Sequence, residues 1–224
     1  MATRLIRFLV PGTGRRYRCG GLSVELQTAR LVAGLCETQL VTYRQRQSDA
    51  AFLDDCLKTE RPDPTILWIV SWGLDVPGLI RRLRGHRVAY HAHSSGYGFD
   101  LPAGVPVLAV SRNTLGYWGA RAPRNPLCLV PNALADPWFT RGARRRDGLR
   151  PIDVLVQARK SSPYVLNHLV PALLRAGLRV EVQNGWVDDL VELFNQSTVY
   201  LLSLIHISEP TRRYAISYAV FCLK

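Results

Sequence analysis

The sequence predicts an α/β protein with a doubly wound parallel sheet, followed by the start of a second α/β domain. Two observations support this fold class. Six short apolar runs alternate with segments of helical periodicity between Leu5 and Val130, and the runs are apolar almost without interruption, as in residues 66–70. Strands covered by helices on both faces have this composition, because neither face meets water. The alternation with helices indicates parallel strand pairing.

The predicted strands of the first domain are residues 5–10, 39–43, 65–71, 87–92, 105–111 and 127–130. The helix after the first strand is indicated by the spacing of Leu22, Leu26, Ala29 and Val32. A second helix over residues 76–84 has apolar residues on one side and arginines on the other. These are amphipathic helices that pack on a sheet.

A linker is predicted at residues 140–150, which contain five arginines, two glycines and no apolar run. A second series follows, with strands at 152–157, 178–182 and 198–201 and helices at 163–176 and 187–195. The predicted domains are therefore 1–139 and 151–201. The second is expected to be a truncated start, because a typical domain has about 100 to 150 residues.

Residues 202–224 are predicted to be non-native. Residues 202–212 are what a transposase adapter of sequencing libraries yields when translated in one frame, and residues 216–223 match the constant segment that follows the sample index. The three residues between them accommodate an eight-base index in the same frame. Such a segment is excluded from fold reasoning.

The chain is basic, with 29 Lys and Arg against 17 Asp and Glu; the tail holds three and one of these, so 26 and 16 remain, a net charge of +10. This charge suits phosphorylated small molecules, anionic lipid or nucleic acid. Four dispersed cysteines before the tail favour neither zinc nor disulfides. No signal peptide or membrane-spanning run is found, so a cytoplasmic location is expected.

The first candidate site is the turn after the first strand, which carries Gly20 and Gly21 ahead of the helix from Leu22. Adjacent glycines let a ligand approach the backbone, and a helix N-terminus attracts an anion. The turn lacks the G-x-G-x-x-G fingerprint, because Tyr17 stands at the third glycine position, and no P-loop lysine follows. An ordinary turn is the alternative interpretation.

The second candidate is His91-Ala92-His93, at the carboxyl end of the fourth predicted strand. Ligands of open α/β sheets bind beyond that end. A histidine there can act as a general base or donate a hydrogen bond to a transition state. His93 is the better candidate because it lies nearer the strand's exit. The alternatives are a half-buried structural histidine and a metal ligand, but no third ligand is apparent and no metal is predicted.

Two further strand ends complete a series of motifs: Ala109-Val110-Ser111 before a helix, and Leu129-Val130-Pro131-Asn132-Ala133. In this order, the Gly-Gly turn, the histidine and these two strings resemble the retaining GT-B glycosyltransferases of family 4. The resemblance covers about residues 5–201. It implies a Rossmann-like acceptor domain followed by a nucleotide-sugar donor domain.

The resemblance also implies roles for individual residues. Gly20 and Gly21 would lie against the donor diphosphate, His93 beside the transferred sugar, and Arg159 and Lys160 against the donor phosphates. The nucleotide-sugar is a substrate and no cofactor is implied. The acceptor would be a saccharide or a lipid-linked sugar, with retention of configuration. The family's carboxylate motif lies beyond Leu201, so this chain is not expected to turn over substrate.

Three alternatives stay open at this point. A non-catalytic GT-B-like protein could bind carbohydrate or nucleotide. Arg159 and Lys160 could be surface charge. Arginines 81, 82, 84 and 87 form either a solvated helix face or a peripheral contact with an anionic membrane. Nucleic acid is not expected as a partner, because Trp68 and Trp72 lie on or beside an apolar strand and not among the arginines.

Overall fold

The structure, a computed structural model, describes residues 3–71, 73–134, 150–201 and 220–222. The chain divides into two compact units, Met1–Ala135 and Asp136–Lys224. Each unit is described by itself.

The first unit is built on a seven-stranded parallel sheet with the order β3-β2-β1-β4-β5-β6-β7. The strands are β1 Leu5–Val10, β2 Glu37–Thr42, β3 Ala51–Phe52, β4 Ile66–Val70, β5 Arg87–Ala92, β6 Val107–Ala109 and β7 Leu127–Leu129. This order is that of a Rossmann-like sheet with one additional strand. The predicted α/β class and parallel pairing are confirmed.

The helices of this unit are α1 Gly20–Ala33, α2 Leu53–Thr59, α3 Val76–Arg82 and α4 Arg112–Arg121. Ser111, which the sequence placed at the end of a strand, instead caps α4: its hydroxyl oxygen accepts a hydrogen bond from the Thr114 backbone N–H at 3.1 Å. Capping satisfies a backbone donor that the helix itself cannot. The strand before it therefore ends at Ala109.

Apolar side chains fill both faces of the sheet. One face packs the fully buried Trp68, Tyr90 and Trp118 into the larger core cluster. The other face packs Phe8 and Ile69 with Ala29 of α1 and Ala89 of β5. Neighbouring residues of one strand thus enter different cores, which explains why the strands read as continuous apolar runs.

Gly12 is a packing requirement of the loop between β1 and α1. A Cβ at this position would lie 2.6 Å from Cε2 of Tyr17, whose ring is buried against Val10 and Leu22. We expect Gly12→Ala to lower the free energy of unfolding by about 1–3 kcal/mol through overpacking. Gly14→Ala is the matched control, because its nearest neighbour would be 3.6 Å away. Urea unfolding compares the two, and equal stabilities would contradict the prediction.

The second unit holds a four-stranded sheet with the order β11-β10-β8-β9. Its strands are β8 Ile152–Gln157, β9 Val180–Gln183, β10 Ser197–Leu201 and β11 Val220–Cys222, and its helices are α5 Val170–Arg175, which continues a π-helical turn at Val165–Leu169, and α6 Leu190–Asn195. The first three strands pair in parallel and β11 pairs antiparallel with β10. The α6 helix begins later than predicted because the Asp189 side chain caps it.

Two predicted segments lie largely outside the described residues. Of the linker at 140–150, only Arg150 is described, and it lies just before β8. Of the segment 202–224, only the backbone of β11 is described. That strand forms an edge of the second sheet.

Candidate functional site

The candidate site lies where the order of the first sheet reverses. β1 pairs with β2 on one side and with β4 on the other, so the chain leaves β1 in one direction first and returns to the opposite side later. In open α/β sheets this reversal opens a crevice beyond the carboxyl ends of the strands. The loop after β1 and the end of β5 both lie at that edge, since all seven strands are parallel.

One carboxylate joins the two histidines at this edge. Nδ1 of His91 lies 2.6 Å from Oε2 of Glu25, and Nε2 of His93 lies 2.8 Å from the same oxygen. His91 belongs to β5, His93 follows its last residue, and Glu25 comes from α1. The two imidazole centroids are 4.3 Å apart. We call these three residues the Glu25 cluster.

The Glu25 cluster is almost closed to solvent. Glu25 and His91 are each 1% exposed, and the His93 side chain is 14% exposed. Burial alone would raise the pKa of Glu25 and is the largest single influence on it, but the hydrogen bonds from His91 and His93 outweigh burial and hold the pKa below its ordinary value. Glu25 is therefore an ionised hydrogen-bond acceptor.

The protonation pattern of the imidazoles follows from this carboxylate. Because an ionised carboxylate only accepts, each ring nitrogen facing it carries a hydrogen. A neutral His93 then presents Nδ1 as an acceptor, on the ring with the greater exposure. Carboxylate–histidine pairs of this kind orient a general base or a hydrogen-bonding group. His93 thus has the partner that such chemistry requires.

Two polar atoms of the Glu25 cluster are unsatisfied. Oε1 of Glu25 and Nε2 of His91 are buried and have no hydrogen-bond partner within the described ranges. A buried polar group without a partner costs about 1–3 kcal/mol. These two unsatisfied atoms lie at the sheet edge where a ligand is expected to bind.

Gly20 and Gly21 are the first residues of α1 and not a separate turn, which corrects the predicted helix start at Leu22. A Cβ at Gly20 would meet nothing within 4 Å, and one at Gly21 would meet only Sγ of Cys19 at 3.9 Å. Neither glycine is therefore required by internal packing. The first backbone N–H groups of this 14-residue helix have no acceptor within the helix, and that of Leu22 donates to Sγ of Cys19 at 3.4 Å. The exposed Arg15 and Arg16 in the preceding loop add positive charge.

The predicted site residues fall into two groups. Gly20, Gly21 and His93 are linked within the first unit, because Glu25 lies on the helix that the glycines begin. Arg159 and Lys160 belong to the short 3-10 helix Ala158–Lys160 of the second unit, directly after β8. Arg159 is exposed there, and the Lys160 side chain lies outside the described part of the chain.

Sequence reasoning missed Glu25. Its signal was present, because Leu22, Glu25, Leu26 and Ala29 share one face of α1, and an acid on the apolar face of a helix needs a buried partner. Its partners are His91 on β5 and His93 directly after that strand, so the contacts of Glu25 join distant parts of the chain.

The arginines proposed for membrane contact have mixed surroundings. Arg82 pairs with Asp54, and Arg87 donates a hydrogen bond to the Thr3 hydroxyl at 2.8 Å. Arg81 lines an open depression of about 770 Å³ together with Arg44 and Leu74. None of the helices that the structure describes is both long and apolar enough to span a bilayer.

No family model matches the chain, and no curated protein matches it at a significant level.

Proposed function

We propose that this chain belongs to a GT-B glycosyltransferase that moves a sugar from a nucleotide-sugar donor to a saccharide or lipid-linked acceptor with retention. The observation that carries the proposal is the link from Glu25 to His93. It joins the helix that starts at the glycine pair to the histidine at the end of β5. Transfer of a sugar from a nucleotide diphosphate needs a group that binds the diphosphate and an oriented side chain beside the sugar. The helix terminus and the imidazole would supply these two groups at one edge of the sheet.

The residues divide the chemistry between them. The N-terminus of α1 and the arginines of the preceding loop favour a diphosphate, whose charge they offset. Nδ1 of His93 accepts a hydrogen bond from a hydroxyl group of the transferred sugar. In the second unit, Arg159 and Lys160 would neutralise the departing nucleotide diphosphate, which stabilises the leaving group.

The order of the first sheet supports a ligand site at this edge. Transfer from a nucleotide-sugar needs no resident cofactor, and the basic charge of the chain suits a phosphorylated substrate. A non-catalytic protein that binds carbohydrate or nucleotide is the other outcome of the tests below.

Gly20→Ala separates binding from folding. Because a Cβ at Gly20 meets no protein atom, we expect the variant to fold at least as stably as the parent chain, and alanine in a helix gains up to about 1 kcal/mol over glycine. The added methyl group would nevertheless stand where the diphosphate approaches, and we expect affinity for ADP-, GDP- or UDP-glucose to fall about tenfold. Calorimetric titration measures the affinity and thermal unfolding the stability.

Gly116→Ala in α4 is the matched control, because its Cβ also meets nothing within 4 Å and it lies in another helix. Its nucleotide-sugar affinity should equal that of the parent chain. Equal nucleotide-sugar affinities for the two variants, or no binding of any of the three nucleotide-sugars, would contradict the proposal that the N-terminus of α1 binds the diphosphate.

Sequencing the source DNA across the codon for Leu201 tests the origin of residues 202–224. We expect the genomic frame to depart from the present sequence after Leu201 and to continue into further strands and helices, with a pair of glutamates on one helical face. Transfer by that longer chain, lost on His93→Ala with folding intact, would support the enzyme. Finding residues 202–224 in the genome would instead favour the binding protein.

A further inference from the structure

We propose that Glu25, His91 and His93 bind one divalent transition-metal ion of the zinc type. The proposal goes beyond glycosyl transfer and does not depend on it. Two imidazoles and one carboxylate are a ligand set that zinc takes in proteins, with a fourth position left for water.

The three donors already converge. Each of the three residues offers one ligand atom, and these atoms lie within 4.8 Å of one another. Ligands at about 2.0–2.2 Å from a tetrahedral zinc are roughly 3.3 Å apart. Admitting the ion requires the two N···O contacts, now 2.6 and 2.8 Å, to open by less than about 1 Å. Rotamer adjustments of the Glu25 side chain are of this size.

The site has the burial that a tight metal centre needs and one side for entry. Glu25 and His91 are closed to solvent, and the His93 side chain is 14% exposed. The ligands come from a 14-residue helix and from the end of a strand in the middle of the sheet, so their backbones are held by the core. In the described part of the chain no other three His, Cys, Asp or Glu side chains converge in this way.

The unsatisfied carboxylate oxygen is the independent sign of a ligand. Oε1 of Glu25 is buried, has no hydrogen-bond partner among the described residues, and belongs to the group that both imidazoles face. A cation beside the carboxylate would satisfy this oxygen through bidentate or charge contact. The ionised Glu25 places a negative charge in a closed environment, which favours a cation.

With both imidazoles neutral, binding needs no net loss of a proton. The hydrogen on each ring nitrogen that faces Glu25 first moves through solvent to the other nitrogen of the same ring, and the facing nitrogen then gives its freed lone pair to the ion. For His93 this moves the hydrogen to Nδ1. The nitrogen that faces away from the cluster would then donate and no longer accept, so the ion would change what His93 offers to a ligand.

The experiment uses the full 224-residue chain, stripped of metal by a chelator and titrated with Zn²⁺ in competition with a chromophoric chelator, and separately with Co²⁺. We expect one equivalent to bind, and Co²⁺ to show the visible absorption of a four- or five-coordinate ion. His93→Ala should weaken Zn²⁺ affinity by about 100-fold, because loss of a ligand costs at least as much as loss of the groups that orient ligands. His168→Ala and Cys128→Ser are the controls and should bind as the parent chain does.

Binding that His93→Ala leaves unchanged, or that Cys128→Ser removes, would overturn the proposal. X-ray absorption at the zinc edge of the unaltered chain gives a second readout that does not depend on a variant's folding: imidazole nitrogen and oxygen neighbours are expected, and sulfur neighbours would contradict the site. Nucleotide-sugar binding is measured on the stripped chain, so the failure of one proposal leaves the other untouched.

Discussion

Replacing Glu25 by alanine should lower the free energy of unfolding by about 3–5 kcal/mol, the range observed when one partner of a buried ionic or hydrogen-bonded group is removed. His91 is 1% exposed; its Nδ1 would lose its acceptor, and its Nε2 already has no hydrogen-bond partner within the described residues. The truncation also leaves a cavity between α1 and β5, which adds to the loss. Denaturant unfolding at neutral pH measures the effect.

Glu25→Gln tests whether charge or hydrogen bonding carries that stability. The amide keeps the volume, and its carbonyl oxygen can take the place of Oε2 and accept from both imidazoles, so a loss well below that of Glu25→Ala is expected. Arg30→Ala, at an exposed position of the same helix, controls for changes in helix propensity. A Glu25→Ala variant as stable as Arg30→Ala would show that the Glu25 cluster contributes nothing to folding.

The second large effect is expected at the opposite end of β1. The Arg7 guanidinium is buried, donates two hydrogen bonds to the Glu60 carboxylate at 2.6 and 2.7 Å and one to Gln39 at 2.7 Å, and lies 4.7 Å from the Trp68 ring. Glu60→Ala would leave this cation in the interior without its counter-ion. We expect a loss of about 3 kcal/mol, at the lower end of the range for buried pairs because Glu60 is 36% exposed and partly screened by solvent.

The same pair predicts a dependence on pH. The hydrogen bond from Arg7 is the main cause that holds the pKa of Glu60 below its usual value. A carboxylate with a lowered pKa in the folded state contributes stability that is fully present above the pKa of the unfolded chain, about 4.3, and is lost as the pH falls through the folded value. The stability difference between the parent chain and Glu60→Gln should therefore be largest at neutral pH and shrink below about pH 4.3.

Urea unfolding of both chains between pH 7 and pH 3 measures this difference, and the other carboxylates cancel because the two chains share them. Asp63→Asn, which removes an acid near the same edge, is the comparison: the Asp63 carboxylate accepts hydrogen bonds from Thr65, and the Arg4 guanidinium, 3.7 Å away, is exposed. If the difference in unfolding free energy between the parent chain and Glu60→Gln stays constant with pH, the charge of Glu60 does not contribute to the stability of its pair with Arg7.

The strands were predictable where their pattern is local. β1 and β5 have the predicted bounds, because each is a mostly apolar run with a clear end. β6 is shorter than predicted, since Pro106 lacks the backbone N–H of a strand residue and Ser111 caps the next helix. The two-residue β3 and the seven-residue α2 were not predicted, because neither is long enough to show a period.

The candidate site was predictable only in its separate parts. Gly20, Gly21 and His93 were found from their positions after strands, which local sequence reveals. Glu25 was not, because its role depends on a contact between α1 and β5 that only the order of the sheet creates. The roles of Arg159 and Lys160 stay predictions, and glycosyl transfer itself stays a prediction that the experiments above test.

The central place of β1 in the first sheet has a consequence for synthesis on the ribosome. β1 is synthesised before β4, so one of its two edges is completed only when Ile66–Val70 arrives and pairs with Leu5–Leu9. Until then the nascent chain carries a strand with one unpaired edge. Protection by chaperones during this interval, and the rate of elongation between β1 and β4, would thus influence yield in addition to the stability of the finished domain.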